Sequence, residues 1–113
     1  MGLPRSMRLR NTRDIQRVQR LGRRIRLPHM LVLYMPGTLD QSRVGFTVSR
    51  KVGNSVVRNR VKRWLREAVR ENKEQLPSGI DLVIIAHPQA ATAGLLSLAS
   101  DVRQGFTKMT QVA

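Results

Sequence analysis

The sequence predicts an α+β sandwich: a small central sheet of three or four strands packed with three helices, in the order α-β-β-(β)-α-β-α. Three observations predict it. "HMLVLYM", "RVGFTVS" and "IDLVIIA" are short and rich in strand-forming residues, and the last is apolar on both faces, as an interior strand is. Three other segments repeat their apolar residues at steps of three and four, the helical period. Glycine and proline breaks ("LG", "PGT", "PSG") fall between these runs. At 113 residues the chain suits one domain, 1–113, with neither repeats nor low-complexity segments.

Taken in order, residues 1–10 show no period and read as an irregular basic arm. In "NTRDIQRVQRLG", Asn11 or Thr12 caps a short helix, Asp14 suits its first turn and Gly22 ends it; Ile15, Val18 and Leu21 form a narrow apolar stripe. "HMLVLYM" is a strand stopped by "PGT". In the next strand Val44, Phe46 and Val48 lie on one face and Gly45, Thr47 and Ser49 on the other. The loop "RKVGNS" leads into a basic helix over about residues 56–73, and "PSG" precedes the interior strand. Leu95, Ala99, Val102, Phe106 and Met109 mark a final amphipathic helix.

Charge narrows the function. Twenty-one Lys and Arg against seven Asp and Glu give +14. Self-repulsion of that size points to a polyanionic partner. Seventeen of the cations are arginine, whose planar fork suits phosphate and stacks on bases. Nine cations lie in residues 1–26 and ten in 43–73, with none in 27–42 or 74–102, so a folded body presents one or two cationic surfaces. No apolar run approaches the ~20 residues of a membrane span. The N-terminus lacks the apolar stretch of a secretory signal. The absence of cysteine excludes disulfides and thiolate metal sites and fits a cytoplasmic location.

The basic helix, "VVRNRVKRWLREAVR" at 56–70, carries the sharpest signal. On a helical wheel Val61, Trp64, Leu65 and Ala68 fall within about 80° of Val57, which makes a buried stripe. Asn59, Lys62, Arg63, Arg66, Arg70 and Lys73 occupy the opposite side, and Arg58 the border. A solvated face is the usual meaning of such a ridge. Here its centre lacks acids to offset the repulsion, which favours binding. Glu67, Glu71 and Glu74 share one flank, where Arg63 can pair with Glu67 at i, i+4. The remaining acids are scattered, with no second-metal arrangement, which argues against a protein-only nuclease. No catalytic residue and no protein-bound metal is expected. His29 and His87 read as loop-edge histidines, Ser49 and Ser55 as turn or cap residues, and Trp64 as core. The single glycine of "KVGNS" is too few for a phosphate-cradling loop. Tyr34 is either core or a stacking platform for single-stranded RNA.

"VGFTVSRKVGNSVVRNRVKRWLREAVR", centred on Arg58-Asn59-Arg60, resembles the signature of the protein subunit of bacterial ribonuclease P. "LRNTRDIQRVQRLGRR", "MLVLY" and "IDLVIIA" extend the resemblance over roughly residues 8–88. It implies a protein that breaks no bond itself but assists a large catalytic RNA. That RNA uses Mg²⁺, held by RNA and substrate, to release the 5′ leader of precursor tRNA. The implied partners are the catalytic RNA and the precursor, without a membrane or an obligate protein partner. By position, Arg58, Asn59, Arg60, Lys62, Arg63 and Arg66 would contact the catalytic RNA. Arg60 sits at about 300° on the wheel, off the ridge's centre, and would reach another RNA segment or a neighbouring loop. The leader would lie in a cleft between the first helix and the sheet, touched by Arg13, Ile15, Arg17, Gln19, Tyr34, Arg50 and Lys51. Ile15 and Gln19 stand where the family usually offers aromatics, so apolar contact and a hydrogen bond are expected there in place of stacking. His87 stands where a basic residue such as arginine is common. The resemblance also implies a left-handed βαβ crossover, against the general right-handed rule.

A ribosomal or other structural RNA-binding protein fits composition and charge equally well, and only the central signature argues against it. A DNA-binding protein is disfavoured by the absence of helix-turn-helix spacing.

Overall fold

Four strands form one mixed sheet in a computed structural model that describes residues 3–111. The chain runs α1 (Thr12–Leu21), β1 (Arg23–Arg26), β2 (Met30–Pro36), β3 (Arg43–Thr47), α2 (Ser55–Glu71), β4 (Ile80–Ala86) and α3 (Gly94–Gln111). Single 3₁₀ turns at Arg5–Met7, Lys73–Gln75 and Pro88–Thr92 complete it. The spatial order is β1-β2-β4-β3, with β1/β2 and β2/β4 antiparallel and β3/β4 parallel. β3 and β4 are neighbours joined through α2, which makes a parallel βαβ crossover.

The optional fourth strand is β1, "RRIR". Only Ile25 of its four residues is buried, so strand alternation leaves almost no apolar signal in the sequence. β4 is interior, as its two apolar faces require. Asn11 caps α1 by accepting a hydrogen bond from the Arg13 amide at 2.8 Å, and Asn54 caps α2 through the Val57 amide at 3.0 Å.

The two faces of the sheet are covered unequally. On one, α2 and α3 pack Val61, Leu65, Ala68, Leu98, Val102 and Phe106 onto Met30, Val32, Tyr34, Val44, Leu82 and Ile84. On the other, α1 lies alone: Val18 sits on Leu33 and Val83 with Leu9 beside them, while Ile15, Leu31, Met35 and Ile85 stay half-buried at the margin. Gly45 permits this approach, since a Cβ there would meet the Leu9 carbonyl at 3.0 Å and the Ile15 side chain at 3.3 Å. Leu21, assigned to the α1 stripe from sequence, is 58% exposed in the last turn of the helix.

Residues 3–10 of the expected arm are anchored to the body, and residues 1 and 2 lie outside the described residues. Leu3 and Leu9 are buried, the Leu9 amide donates to the Val44 carbonyl at 2.9 Å, and Arg8 bridges in parallel to Val44. This segment therefore covers part of the open edge of β3. Two polar ties fix the surrounding elements. Arg43 on β3 donates twice to the buried Asp81 carboxylate, at 2.9 and 3.1 Å, and approaches Asp14 of α1 at 3.7 Å. Asp101, buried in the middle of α3, accepts from the His29 amide at 2.8 Å and meets its Nδ1 at 3.0 Å, pinning the β1–β2 turn.

Candidate nucleic-acid interface

The basic helix divides into three flanks. Inward, Val61, Leu65, Ala68 and Val69 are buried, with Val57 and Trp64 half-buried at the border. Outward, Asn59 and Arg63 are exposed. Lys62 and Arg66 are half-buried and turn toward the β3 edge, where they line a recess of about 240 Å³ with Arg8, Leu9, Arg10, Ile15, Val44 and Phe46.

Arg60 leaves the ridge, as its wheel angle suggested. Its guanidinium lies 5.1 Å from the centroid of the Trp64 ring and donates at 3.1 Å to the Ala91 carbonyl, in the segment before α3. This neighbouring-loop contact makes Arg60 a clamp between α2 and the chain leading to α3. Arg58 and Arg60 each bury Nε without a hydrogen-bond partner.

Glu67 pairs with Arg70, three residues on, rather than with Arg63. The hydrogen bond from Arg70 holds the Glu67 carboxyl below its usual range and raises the Arg70 guanidinium, both on a half-exposed flank. Arg63 is thus left without an intramolecular ion pair among the described residues. The hydrogen bonds to Asp81 raise Arg43 above its ordinary value. Among the described residues no three His, Asp or Glu side chains gather as a metal site would require, and four of the seven acids already face cationic or histidine partners.

The cleft beside α1 gathers only part of the expected leader set. Ile15 flanks it, and Gln19 follows one turn later, half-buried. Across from them Leu31 and Ile85, paired on β2 and β4, form a half-open apolar floor. Thr47 pairs with Ile85, so the turn carrying the exposed Arg50 and Lys51 lies at this end of the sheet. Arg13 and Arg17 are exposed on the side of α1 away from Ile15 and Gln19 and face solvent instead. Tyr34 does not join the cleft. It alternates with Leu33 and so faces the α2/α3 core, 8% exposed. Of the two readings of Tyr34, core or stacking platform, this placement favours core. The strand pattern shows that Leu33 and Tyr34 cannot share a face, and the packing of α1 on Leu33 decides which of them meets the cleft.

Three residues of the basic recess escaped sequence reasoning. Phe46 looked like core, and Arg8 and Arg10 looked like loose arm. The alternation Arg8-Leu9-Arg10 was the available sign of an extended segment with its middle residue turned inward.

A cationic helix docked on a sheet, beside a half-open apolar sheet face, defines a small α+β domain shaped to lie against a polyanion. Comparisons with known proteins specify which. The family model described as Ribonuclease P matches residues 3–110. The chain is 44% identical over 101 residues to the ribonuclease P protein component of Kocuria rhizophila, covering 89% of each chain. It is 43% identical over 95 residues to that of Desulfovibrio desulfuricans, covering 82% of this chain and 73% of the other. The ribonuclease P protein structure from Thermotoga maritima superposes with a TM-score of 0.81 at 30% identity, over 89% of this chain and 96% of that one. The Staphylococcus aureus structure gives 0.80 at 27%, over 94% and 96%. The chain belongs to the ribonuclease P protein-component family. Membership places it in an endonuclease ribonucleoprotein of tRNA processing, with ribonuclease P RNA as partner. No described helix is long and apolar enough to cross a membrane.

Proposed function

We propose that the chain binds the catalytic RNA through the outer flanks of α2 and the 5′ leader of precursor tRNA along the cleft beside α1, leaving bond cleavage to the RNA. The observation that carries this reading is the lopsided distribution of ion pairs. Four of the seven acids are paired with Arg43, Arg70 or His29, while Arg63, Lys62 and Arg66 of α2 remain without acidic partners among the described residues. Asn59 adds an exposed amide to the same surface, and Arg58, with its unmet Nε, borders it. Cations so placed lower the repulsion between two RNAs and release their counterions. Arg60 acts here by holding α2 to the segment before α3. Ile15, Gln19, Arg50 and Lys51 line the leader path, with Leu31 and Ile85 beneath.

Mg²⁺ held by RNA and substrate supplies Lewis-acid activation of the phosphate. The protein's acids suit that division, since Asp14, Glu67, Asp81 and Asp101 are committed to Arg43, Arg70 or His29.

The test is 5′ cleavage of a precursor tRNA by a bacterial ribonuclease P RNA at low Mg²⁺, with and without the protein, beside protein alone. Strong stimulation and no activity from protein alone is the expected result. Tight RNA binding by folded protein without stimulation would favour a structural RNA-binding role. Cleavage by protein alone would overturn the division of labour.

A further inference from the structure

Of the four aromatic residues, Phe106 and Tyr34 are buried in the core, and Trp64 and Phe46 pack against it half-buried, Trp64 beneath Arg60. Phe46 alone is half-buried inside a strongly cationic recess. Arg8 and Arg10 come from the N-terminal segment, Lys62 and Arg66 from α2, and Ile15 from α1, and no acid lines the recess with them. Two separate segments thus bring four cations around one apolar surface, to which α1 and β3 add Ile15 and Phe46. Arg8 is partly used, its Nε donating to the Leu3 carbonyl at 2.9 Å. Arg10 is exposed.

The recess measures about 240 Å³, smaller than the ~300 Å³ at which drug-sized pockets begin. It suits one ring system and is too small for a base pair. Duplex RNA also hides its base faces, whereas unpaired nucleotides can splay a base onto an aromatic ring while cations hold the phosphate. Phe46 packs against the core yet stays half-buried, so part of its surface is left to the recess, and a solvated charge cluster would need no such ring beside it.

We propose that this recess is a single-nucleotide site. One unpaired RNA nucleotide places its base against Phe46 and Ile15, and its phosphate lies between Arg10 and the Lys62–Arg66 pair. The site joins the α1 side of the molecule to the α2 ridge around the β3 edge. It rests on the reading of the protein as RNA-binding, and not on any role in cleavage.

The probe is pentauridylate, with an otherwise identical oligomer whose central nucleotide is abasic. Phe46→Leu keeps apolar volume and removes the ring; Phe46→Trp keeps a ring. Expected results are about tenfold weaker pentauridylate binding by F46L, retained affinity in F46W, and little effect of F46L on the abasic oligomer. R10Q should flatten the salt slope by about 0.7 for one lost single-strand phosphate contact. Equal affinity of F46L and the parent protein, with thermal unfolding confirming both folded, overturns the site. Equal losses on the intact and abasic oligomers, or no binding of pentauridylate by the parent protein, do so as well.

Repeating F46L with catalytic RNA, precursor tRNA and leaderless tRNA then identifies the source. A loss confined to the precursor assigns the nucleotide to the leader, and a loss with the catalytic RNA assigns it there. A loss with none of these overturns the site's use in the complex. Phe46-dependent oligomer binding by a protein that fails to stimulate cleavage would refute the functional reading and leave the nucleotide site standing.

Discussion

The two faces of the sheet use similar residues to opposite ends. The face under α2 and α3 is sealed, with Val32, Leu82, Ile84, Leu65 and Phe106 at 0–1% exposure. The face under α1 carries the same kinds of side chain, yet Leu31 and Ile85 stay half-exposed because one short helix cannot cover four strands. Incomplete cover forgoes some burial, at about 25 cal/mol per Å². It leaves an apolar floor between cationic margins, the surface a flexible single strand can lie on. Burial therefore concentrates on one side of the sheet, and the other keeps open apolar surface.

The contrast is most exposed to failure at its largest effects. Leu65→Ala on the sealed face should lower unfolding stability by about 2–5 kcal/mol in a denaturant titration, while Leu31→Ala on the half-open face should cost less than half as much. Leu31→Ala should instead weaken precursor tRNA more than leaderless tRNA; equal stability losses from the two would erase the distinction. Tyr34→Ala, on the sealed side, should cost about 3 kcal/mol and reduce leader-bearing and leaderless binding alike. A selective loss of leader binding would return Tyr34 to the cleft.

Within α2 the same division is testable between two arginines. Arg63→Ala should leave stability within about 0.5 kcal/mol and flatten the salt slope of catalytic-RNA binding by about one unit. Arg60→Ala should cost about 1 kcal/mol through its hydrogen bond to Ala91 and its place over Trp64, with the slope nearly unchanged. Reversed outcomes would exchange ridge and clamp.

The smallest effect is pH-dependent. The Arg70 hydrogen bond depresses the Glu67 carboxyl, so its stabilisation is fully present above the ordinary carboxylate pKa and is lost as pH falls through the depressed one. Glu67→Gln should remove that part of the acid dependence of Tm, by little, because the pair is half-exposed.

Much of this was legible in the chain. Period-four spacing of Val61, Leu65 and Val69 determined which side of α2 is buried, and two apolar faces determined that β4 is interior. Asn11 marked the start of α1, because a side-chain acceptor there meets an otherwise orphaned amide, whereas α2 is capped by Asn54, one residue before the expected Ser55. The excess of arginine determined the class of partner, a property of composition that folding cannot undo. These are local quantities, set within a turn or a strand.

What only the tertiary structure decided depends on which segments become neighbours. Arg60 became a clamp because Ala91, thirty-one residues on, offers a carbonyl beside it. Glu67 chose Arg70 over Arg63 through side-chain geometry that spacing leaves open. Asp101 could be buried in α3 only because the β1–β2 turn brings His29 and its amide to it. Arg8 and Arg10 joined Lys62 and Arg66 because β3 is an edge strand, and an edge strand has unpaired amides and carbonyls that draw in another extended segment. Periodicity records which way a side chain faces within its own element; what it meets there is a long-range contact, which no local pattern encodes.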